Sequence, residues 1–405
     1  MLVMESQEGK RLTAATLAFL AAQLALSAPP PKTAPLVAPP PKLLREINLN
    51  QIIQERAGVL PSDDSVRAVV FSPDENWIAV AVGQHPREGK FNRGDIRFES
   101  HLLILPLQGS AGHPVQVDSG MLLGAGSLAW SPKSDALVVQ GMVNGGAQLY
   151  DVRGSQLWKR EHPGKQVLLE PWIVGFIDPD HLLAHHVPAK GEPDGFETLD
   201  LQGQVVDTWT ASKQWRGGSI NSDRHLLAVF SDFAQSKLLI IDYPSKKVMR
   251  IQSDPTWLYR DGNRSALATA YFAESGKTIC TVGSAESHDM HAQCRDVDSG
   301  QKIAEYERFL GGAPAAASVQ GSRIVLTQGW VLGNNRTGRE RFSGGRVVWD
   351  FRSSAEVAAW APAVQYLETD RNVRDVAQPA PAAISPSGRY VAEGADGMLR
   401  IYELP

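Results

Sequence analysis

The chain has 405 residues, 43% of them hydrophobic, so it can bury a large core, and length alone would allow two or three domains. A formal charge of −4 excludes binding to nucleic acid through a general basic footprint. The 36 glycines and 26 prolines can punctuate many short strands without reaching the composition of a disordered chain.

In chain order, the first element is a processing segment. Lys10 and Arg11 precede an apolar run over residues 12–26, and Ala25-Leu26-Ser27 offers small residues at the two positions a signal peptidase reads. About 15 apolar residues fall short of the roughly 20 that a spanning helix needs, and the run has almost no polar face for a surface helix. No cysteine follows it, which disfavours a lipid anchor. Residues 1–27 therefore read as a secretory signal, and residues 28–42, with Ala-Pro-Pro-Pro-Lys twice, as an extended polyproline spacer. The expected product is exported, periplasmic or extracellular, with no stable membrane insertion after processing.

From residue 43 to 405 one pattern recurs. The cleanest copy is the last: Ala383-Ile384-Ser385-Pro386-Ser387-Gly388-Arg389-Tyr390-Val391-Ala392, then Asp396-Gly397-Met398-Leu399-Arg400-Ile401-Tyr402-Glu403. Ser-Pro-x-Gly and Asp-Gly between β-rich runs are tight connections, because proline presets one φ and glycine supplies a positive one. Six earlier copies cover residues 66–117, 128–158, 173–209, 219–251, 269–306 and 315–360. Each holds about four short strands, and a spacing of roughly 40–60 residues suits a propeller blade with variable loops. One such meander cannot bury its own faces, so its neighbours must.

Third strands end in Tyr150-Asp151, Leu199-Asp200, Ile241-Asp242 and Trp349-Asp350, with Arg295-Asp296 and Tyr402-Glu403 as variants. Together with the Ser-Pro turns, these residues resemble the WD repeat over about residues 43–405. The resemblance implies an all-β fold, a single seven-bladed propeller of four-stranded antiparallel blades, and it implies hardly anything about activity. The Gly-His dipeptide usual in that family is absent at the expected places, since Gly112-His113 precedes an outer strand. A related propeller family, such as the bacterial periplasmic ones, is the alternative.

The seventh copy stops after its third strand, and residues 43–49 form a strand-like run with no other place in the scheme. Pairing that run with residues 398–403 would close the last blade and hide an open sheet edge. A domain closed in this way cannot be split.

Cys280 and Cys294 fall on adjacent strands of the fifth copy, nearly opposite each other, where a cross-strand disulfide can form and export permits it. The alternative is two buried thiols acting as small hydrophobes. They give no zinc signature. His181, His185 and His186 are the densest histidine cluster, but strand alternation puts His186 on the other face from its two neighbours, so ordinary hydrogen-bonded histidines fit better than a metal site. Gly-x-Ser-x-Gly, His-Glu-x-x-His and phosphate-loop motifs are all absent. Asn335-Arg336-Thr337 fits the N-glycosylation pattern, which carries little weight without a eukaryotic context. No cofactor and no metal is expected.

Two insertions between second and third strands are more informative. Residues 84–100 carry Arg93 and Phe98 among further basic and aromatic residues, and residues 330–345 carry Trp330, Arg336, Arg339, Arg341 and Phe342. In a closed ring the first and sixth blades flank the seventh, so both insertions would rise on one arc of one face. Arginines and aromatics on long loops of a rigid scaffold suit recognition of a protein or peptide, an acidic one where the arginines make the contact. The bland reading is a solvated surface, since Glu88, Asp95, Glu99 and Glu340 offset part of the charge. The expected function is a monomeric, non-enzymatic exported scaffold binding through this face. The rival is an exported hydrolase, lyase or quinone-dependent dehydrogenase acting at the mouth of the central channel, which would need carboxylates, histidines or a metal converging there.

Overall fold

Short β-rich runs joined by capped turns fold into seven four-stranded antiparallel sheets and one separate two-stranded ribbon. The computed structural model describes residues 38–57, 65–83, 100–107, 115–118, 128–141, 146–161, 173–186, 195–210, 215–231, 237–253, 269–284, 290–306, 316–332, 341–369 and 374–405. All of these lie in one compact unit, Leu36–Pro405. Strand β1 (Lys42–Asn48) and helix α1 (Leu49–Ala57) come first. Blade one is β2 (Ser65–Phe71), β3 (Trp77–Gly83), β4 (Ser100–Pro106) and β5 (Val115–Asp118). Blade two is β6 (Leu128–Trp130), β7 (Ala136–Gln140), β8 (Ala147–Asp151) and β9 (Gln156–Arg160). Blade three is β10 (Ile173–Asp178), β11 (His181–His186), β12 (Gly195–Asp200) and β13 (Val205–Thr210). Blade four is β14 (Trp215–Asn221), β15 (Leu226–Ser231), β16 (Lys237–Asp242) and β17 (Lys247–Ser253). Blade five is β18 (Thr269–Ala273), β19 (Thr278–Ser284), β20 (Met290–Asp296) and β21 (Lys302–Tyr306). Blade six is β22 (Ala316–Ala317), β23 (Arg323–Leu332), β24 (Arg341–Asp350) and β25 (Ala355–Trp360). The ribbon is β26 (Val364–Thr369) and β27 (Arg374–Pro379), and blade seven is β28 (Ala382–Ile384), β29 (Tyr390–Ala395), β30 (Met398–Glu403) and β1.

The first strand of each blade lies beside the first strands of both neighbouring blades, and β28 beside β2 completes the circle. Seven hydrophobic clusters result, one at each joint. No blade owns a core; each shares both faces, as an array of incomplete units must.

Among the described residues, the connections on one face of the ring are short turns. In blades one, two, six and seven a fully buried serine hydroxyl accepts the N–H five residues on: Trp77 to Ser72 at 2.9 Å, Ala136 to Ser131 at 3.1 Å, Arg323 to Ser318 at 3.0 Å, Tyr390 to Ser385 at 3.1 Å. Three residues after the serine the backbone turns left-handed in three of these blades: at Gly388 (φ 78°), but also at Glu75 (57°) and Ser134 (62°). Those two non-glycines reach across to the preceding blade, where Glu75 Oε1 accepts the Ser387 N–H at 2.6 Å and Ser134 Oγ the Asp74 N–H at 3.1 Å. Each joint carries such a tie on this face. Others are Lys133–Asp180 at 4.0 Å, Lys246–Asp207 at 2.7 Å, Arg224–Asp298 at 2.6 Å, Arg352–Glu274 at 2.5 Å and Arg323 to the Gly388 carbonyl at 3.0 Å.

The last blade is closed by β1, paired from Lys42↔Glu403 to Asn48↔Met398 with a register shift between Leu43 and Arg45. Glu46 and Arg400 pair across it at 2.7 Å, and Arg45 donates to the Pro106 carbonyl of blade one at 3.1 Å. Asn48 then caps α1, accepting the Gln51 N–H at 3.0 Å. Leu49 and Ile53, four residues apart on one helix face, are fully buried between blades seven and one. Before β1, the Pro39 carbonyl accepts the Ala359 N–H at 3.0 Å and Ala38 packs on the core between blades five and six. The end of the proline-rich spacer therefore already touches the propeller.

Candidate functional site

Alternation along each blade sends second-to-third-strand connections and blade-to-blade connections to the face opposite the short turns. Three described elements stand on this loop face between blades six and one. Helix α1 joins blade seven to blade one, and its Leu49 N–H donates to the Gly397 carbonyl at 2.8 Å. Strands β23 and β24 run on as a ladder past the sheet, from Thr327↔Arg346 up to Leu332↔Arg341. The β26–β27 ribbon, between blades six and seven, lies against β23, β24 and β2.

A buried ion pair fixes the neck of that ribbon. Arg346 (β24) and Glu393 (β29) are each about 1% exposed, with Nη1 standing 2.9 Å from Oε1. Arg346 Nη2 also donates to the Ala380 carbonyl at 2.5 Å, and Glu393 Oε1 accepts the Ala363 N–H at 3.2 Å. Ala363 and Ala380 bracket the ribbon, and the Ala380 N–H donates to the Ala363 carbonyl at 2.9 Å. Trp360 Nε1 donates to Glu393 Oε2 at 3.4 Å, and its ring lies 5.8 Å from that of Tyr402. Burial lowers the Arg346 guanidinium's pKa and Glu393 opposes that shift, while burial and Glu393 push Tyr402 up to about 12.

Of the residues singled out in the sequence, Arg93, Phe98, Arg336 and Arg339 lie outside the described residues. Trp330, Arg341 and Phe342 are on strands β23 and β24, so much of the expected loop is an extended ladder instead. By register Trp330 pairs with Ser343 and Leu332 with Arg341, whereas Phe342 pairs with Val331. Trp330 and Arg341 thus share one face of the hairpin and Phe342 belongs to the other.

Cys280 and Cys294 stand directly opposite in the β19–β20 ladder and are joined by a disulfide, with Cα atoms 4.0 Å apart. Both are fully buried in the core between blades five and six. The histidines are engaged locally. His181 Nδ1 is 2.9 Å from Asp178, His186 Nδ1 is 2.9 Å from Glu197, and His185 stacks on Phe196 at 5.0 Å. Among the described residues no group of three or more His, Cys, Asp or Glu could hold a metal ion. No described helix is long and apolar enough to cross a membrane.

Asp151, Asp200, Asp296 and Asp350, at the ends of third strands, are turn caps. Asp151 Oδ1 accepts N–H groups of Arg153 at 2.9 Å and Ser155 at 2.8 Å; Asp200 treats Gln202 and Gln204 in the same way, at 2.9 and 2.8 Å. Asp296 accepts the Ser299 N–H at 2.7 Å and Asp350 the Arg352 N–H at 2.9 Å. These groups serve the short-turn face and are not free for acid–base chemistry at the channel mouth.

No protein-family model and no curated protein matches this chain. Among solved structures it is similar to a chain of the mitotic checkpoint complex, at 14% identity and a TM-score of 0.55, over 92% of this chain and 98% of that one. It is also similar to the β-propeller domain of Cps50 (Swd1) from Myceliophteria thermophila, at 12% identity and a TM-score of 0.56, over 90% and 100%. At these identities the likeness shows the fold, a WD-repeat-like propeller.

Proposed function

We propose that this chain is an exported, non-enzymatic scaffold that binds a protein or peptide on the arc of its loop face spanning blades six, seven and one. The observation that supports it most is the unequal construction of the two faces. One is a belt of short turns tied to one another at every joint. The other carries, among the described residues, an extended hairpin, an inserted ribbon held by a buried ion pair, and a capped helix. Rigid scaffolds that present elaborated connections on one side are suited to recognition. One of the two similar structures belongs to a multi-protein assembly, the mitotic checkpoint complex, which is a use in keeping with this reading. Export rests on the basic, apolar and small-residue order of residues 10–27, and an acidic partner on Arg93, Arg336, Arg339 and Arg341.

The test is capture from the native cell envelope with wild-type bait and with Arg93, Arg336 and Arg339 all replaced by Glu. A partner retained by the wild type and lost from the variant, with weaker association at higher salt and an unchanged Tm, is expected. Identical captured sets would leave the arc a solvated surface.

A further inference from the structure

Two arginines on the loop-face side of this ring have buried guanidinium atoms, Arg346 wholly and Arg67 in part, and they are treated differently. Arg346 is met by Glu393 and by the Ala380 carbonyl. Arg67 is partly buried, and no hydrogen bond or ion pair reaches it among the described residues; its Nε is buried without a hydrogen-bond partner, as are Nε and Nη1 of Arg346, but no carboxylate stands beside Arg67. Burial lowers its pKa from the ordinary value, with no carboxylate opposing the shift.

Its position explains the isolation. Arg67 lies on β2, the channel-lining strand of blade one. The β2–β3 ladder passes from Val66↔Val82 to Ala68↔Ala81, so Arg67 is the extra residue of a bulge. Val66 packs toward blade seven and Ala68 toward blade two, which leaves Arg67 to neither inter-blade core. β2 starts on the loop face and ends at the Ser72 turn, so Arg67 belongs to the loop-face half of the channel, beside the β26–β27 ribbon. The innermost strands hold only two other charged residues. Asp178 ends β10 on the short-turn side, where His181 and the Asp180 N–H occupy its carboxylate. Arg216 of β14 opens a second bulge, between Arg216↔Phe230 and Ser219↔Ala228. Among the described residues, the loop-face half of these strands carries no acidic residue.

We propose that Arg67 is the anion-binding group of the loop-face channel mouth, taking an oxyanion that a bound partner or a small solute supplies, either a carboxylate or a phosphate. A partly desolvated, unpaired guanidinium costs stability, and an oxyanion that accepts its planar donor fork offsets that cost on binding. The inference deepens the loop-face reading and names the chemistry the partner must bring to its centre.

Thermal unfolding of the full chain in chloride, acetate and phosphate at matched ionic strength, and with a capped triglutamate peptide, tests it on wild type, Arg67→Met and Arg67→Lys. At a hundredfold excess over Kd the wild-type Tm should rise by about 3–4 °C over its value in chloride, Arg67→Lys by less, and Arg67→Met not at all. In chloride Arg67→Met should melt at or above the wild type. A response to acetate and peptide identifies a carboxylate, and a response to phosphate alone identifies phosphate. Equal shifts in wild type and Arg67→Met, no shift in either, or an Arg67→Met protein that melts well below wild type in chloride would overturn the assignment. If the anion response persists while the triple-Glu variant captures the same proteins as wild type, the mouth is a small-anion site and the loop-face reading fails alone. If the response is missing while that variant loses its partner, only the role of Arg67 falls.

Discussion

Replacing Glu393 by Ala removes one half of a pair whose members are each about 1% exposed and 2.9 Å apart. It strands the Arg346 charge, and it also strips the Ala363 N–H and Trp360 Nε1 of their acceptor. Breaking a buried pair from one side costs about 3–5 kcal/mol, a large share of the roughly 5–15 kcal/mol that holds a typical domain together. Replacing both residues with apolar ones of similar volume, Arg346→Met with Glu393→Leu, should be neutral or stabilising, because both desolvation costs vanish together. Because the pair grips Ala363 and Ala380, the single substitution should also raise hydrogen exchange in the β26–β27 ribbon more than elsewhere. Urea unfolding of the two single variants and the double gives the coupling. If the double variant loses as much as the sum of the singles, the pair is not a unit and the ribbon is held by something else.

Ile53→Ala should cost about 2–5 kcal/mol, because Ile53 is fully buried between blades seven and one, whereas Leu44→Ala, at 44% exposure, should stay within about 0.5 kcal/mol. Removing residues 1–51 should lower the Tm of the whole domain in one transition, since β30 loses its partner strand, and a Tm equal to that of the mature protein would refute ring closure. Replacing both Cys280 and Cys294 by Ala, with 14 residues of separation, should cost about 3 kcal/mol, and peptide mapping of exported protein without reduction should find the bond; freely alkylated thiols would contradict it. Burial pushes the Glu274 carboxyl up, but hydrogen bonds from Arg352 and Thr278 more than offset this and hold it below its ordinary value. A carboxyl depressed in this way adds stability above its unfolded pKa and loses it as pH falls through the folded value, so Arg352→Ala should cost up to about 1 kcal/mol near neutral pH and nothing near pH 2. Equal losses at both pH values would mean the effect is not this ion pair.

The repeat was legible because it is built from local signals: a buried serine that accepts the N–H five residues on, a left-handed position, and an Asp that caps its own turn. Residues 43–49 could be assigned by elimination, since the seventh copy lacked a fourth strand, and they pair as β1, which runs from Lys42 to Asn48. The β26–β27 ribbon is not legible in the sequence, because the apolar alternation of Val364-Gln365-Tyr366 breaks at Leu367-Glu368 and a count of four strands per blade leaves no slot for it. Helix α1 is hard to read from sequence because its apolar face is short, Leu49 and Ile53 with Ile52 at its side. The insertion expected over residues 330–345 is in part an extended ladder, with Trp330 opposite Ser343 and Phe342 opposite Val331. The Arg346–Glu393 pair could not be read at all, since its members are 47 positions apart and meet only when blades six and seven pack. Arg67 gave no signal either, because a bulge is visible only in the register.

Photo-cross-linking within the native envelope tests most directly whether the loop face is the binding side. A photoreactive residue at Arg336 or Arg339, on the arc, should yield a discrete adduct with a partner, and the same residue at Arg153, in a capped turn of the opposite face, should yield none. Adducts from Arg153 with none from Arg336 or Arg339 would contradict the account.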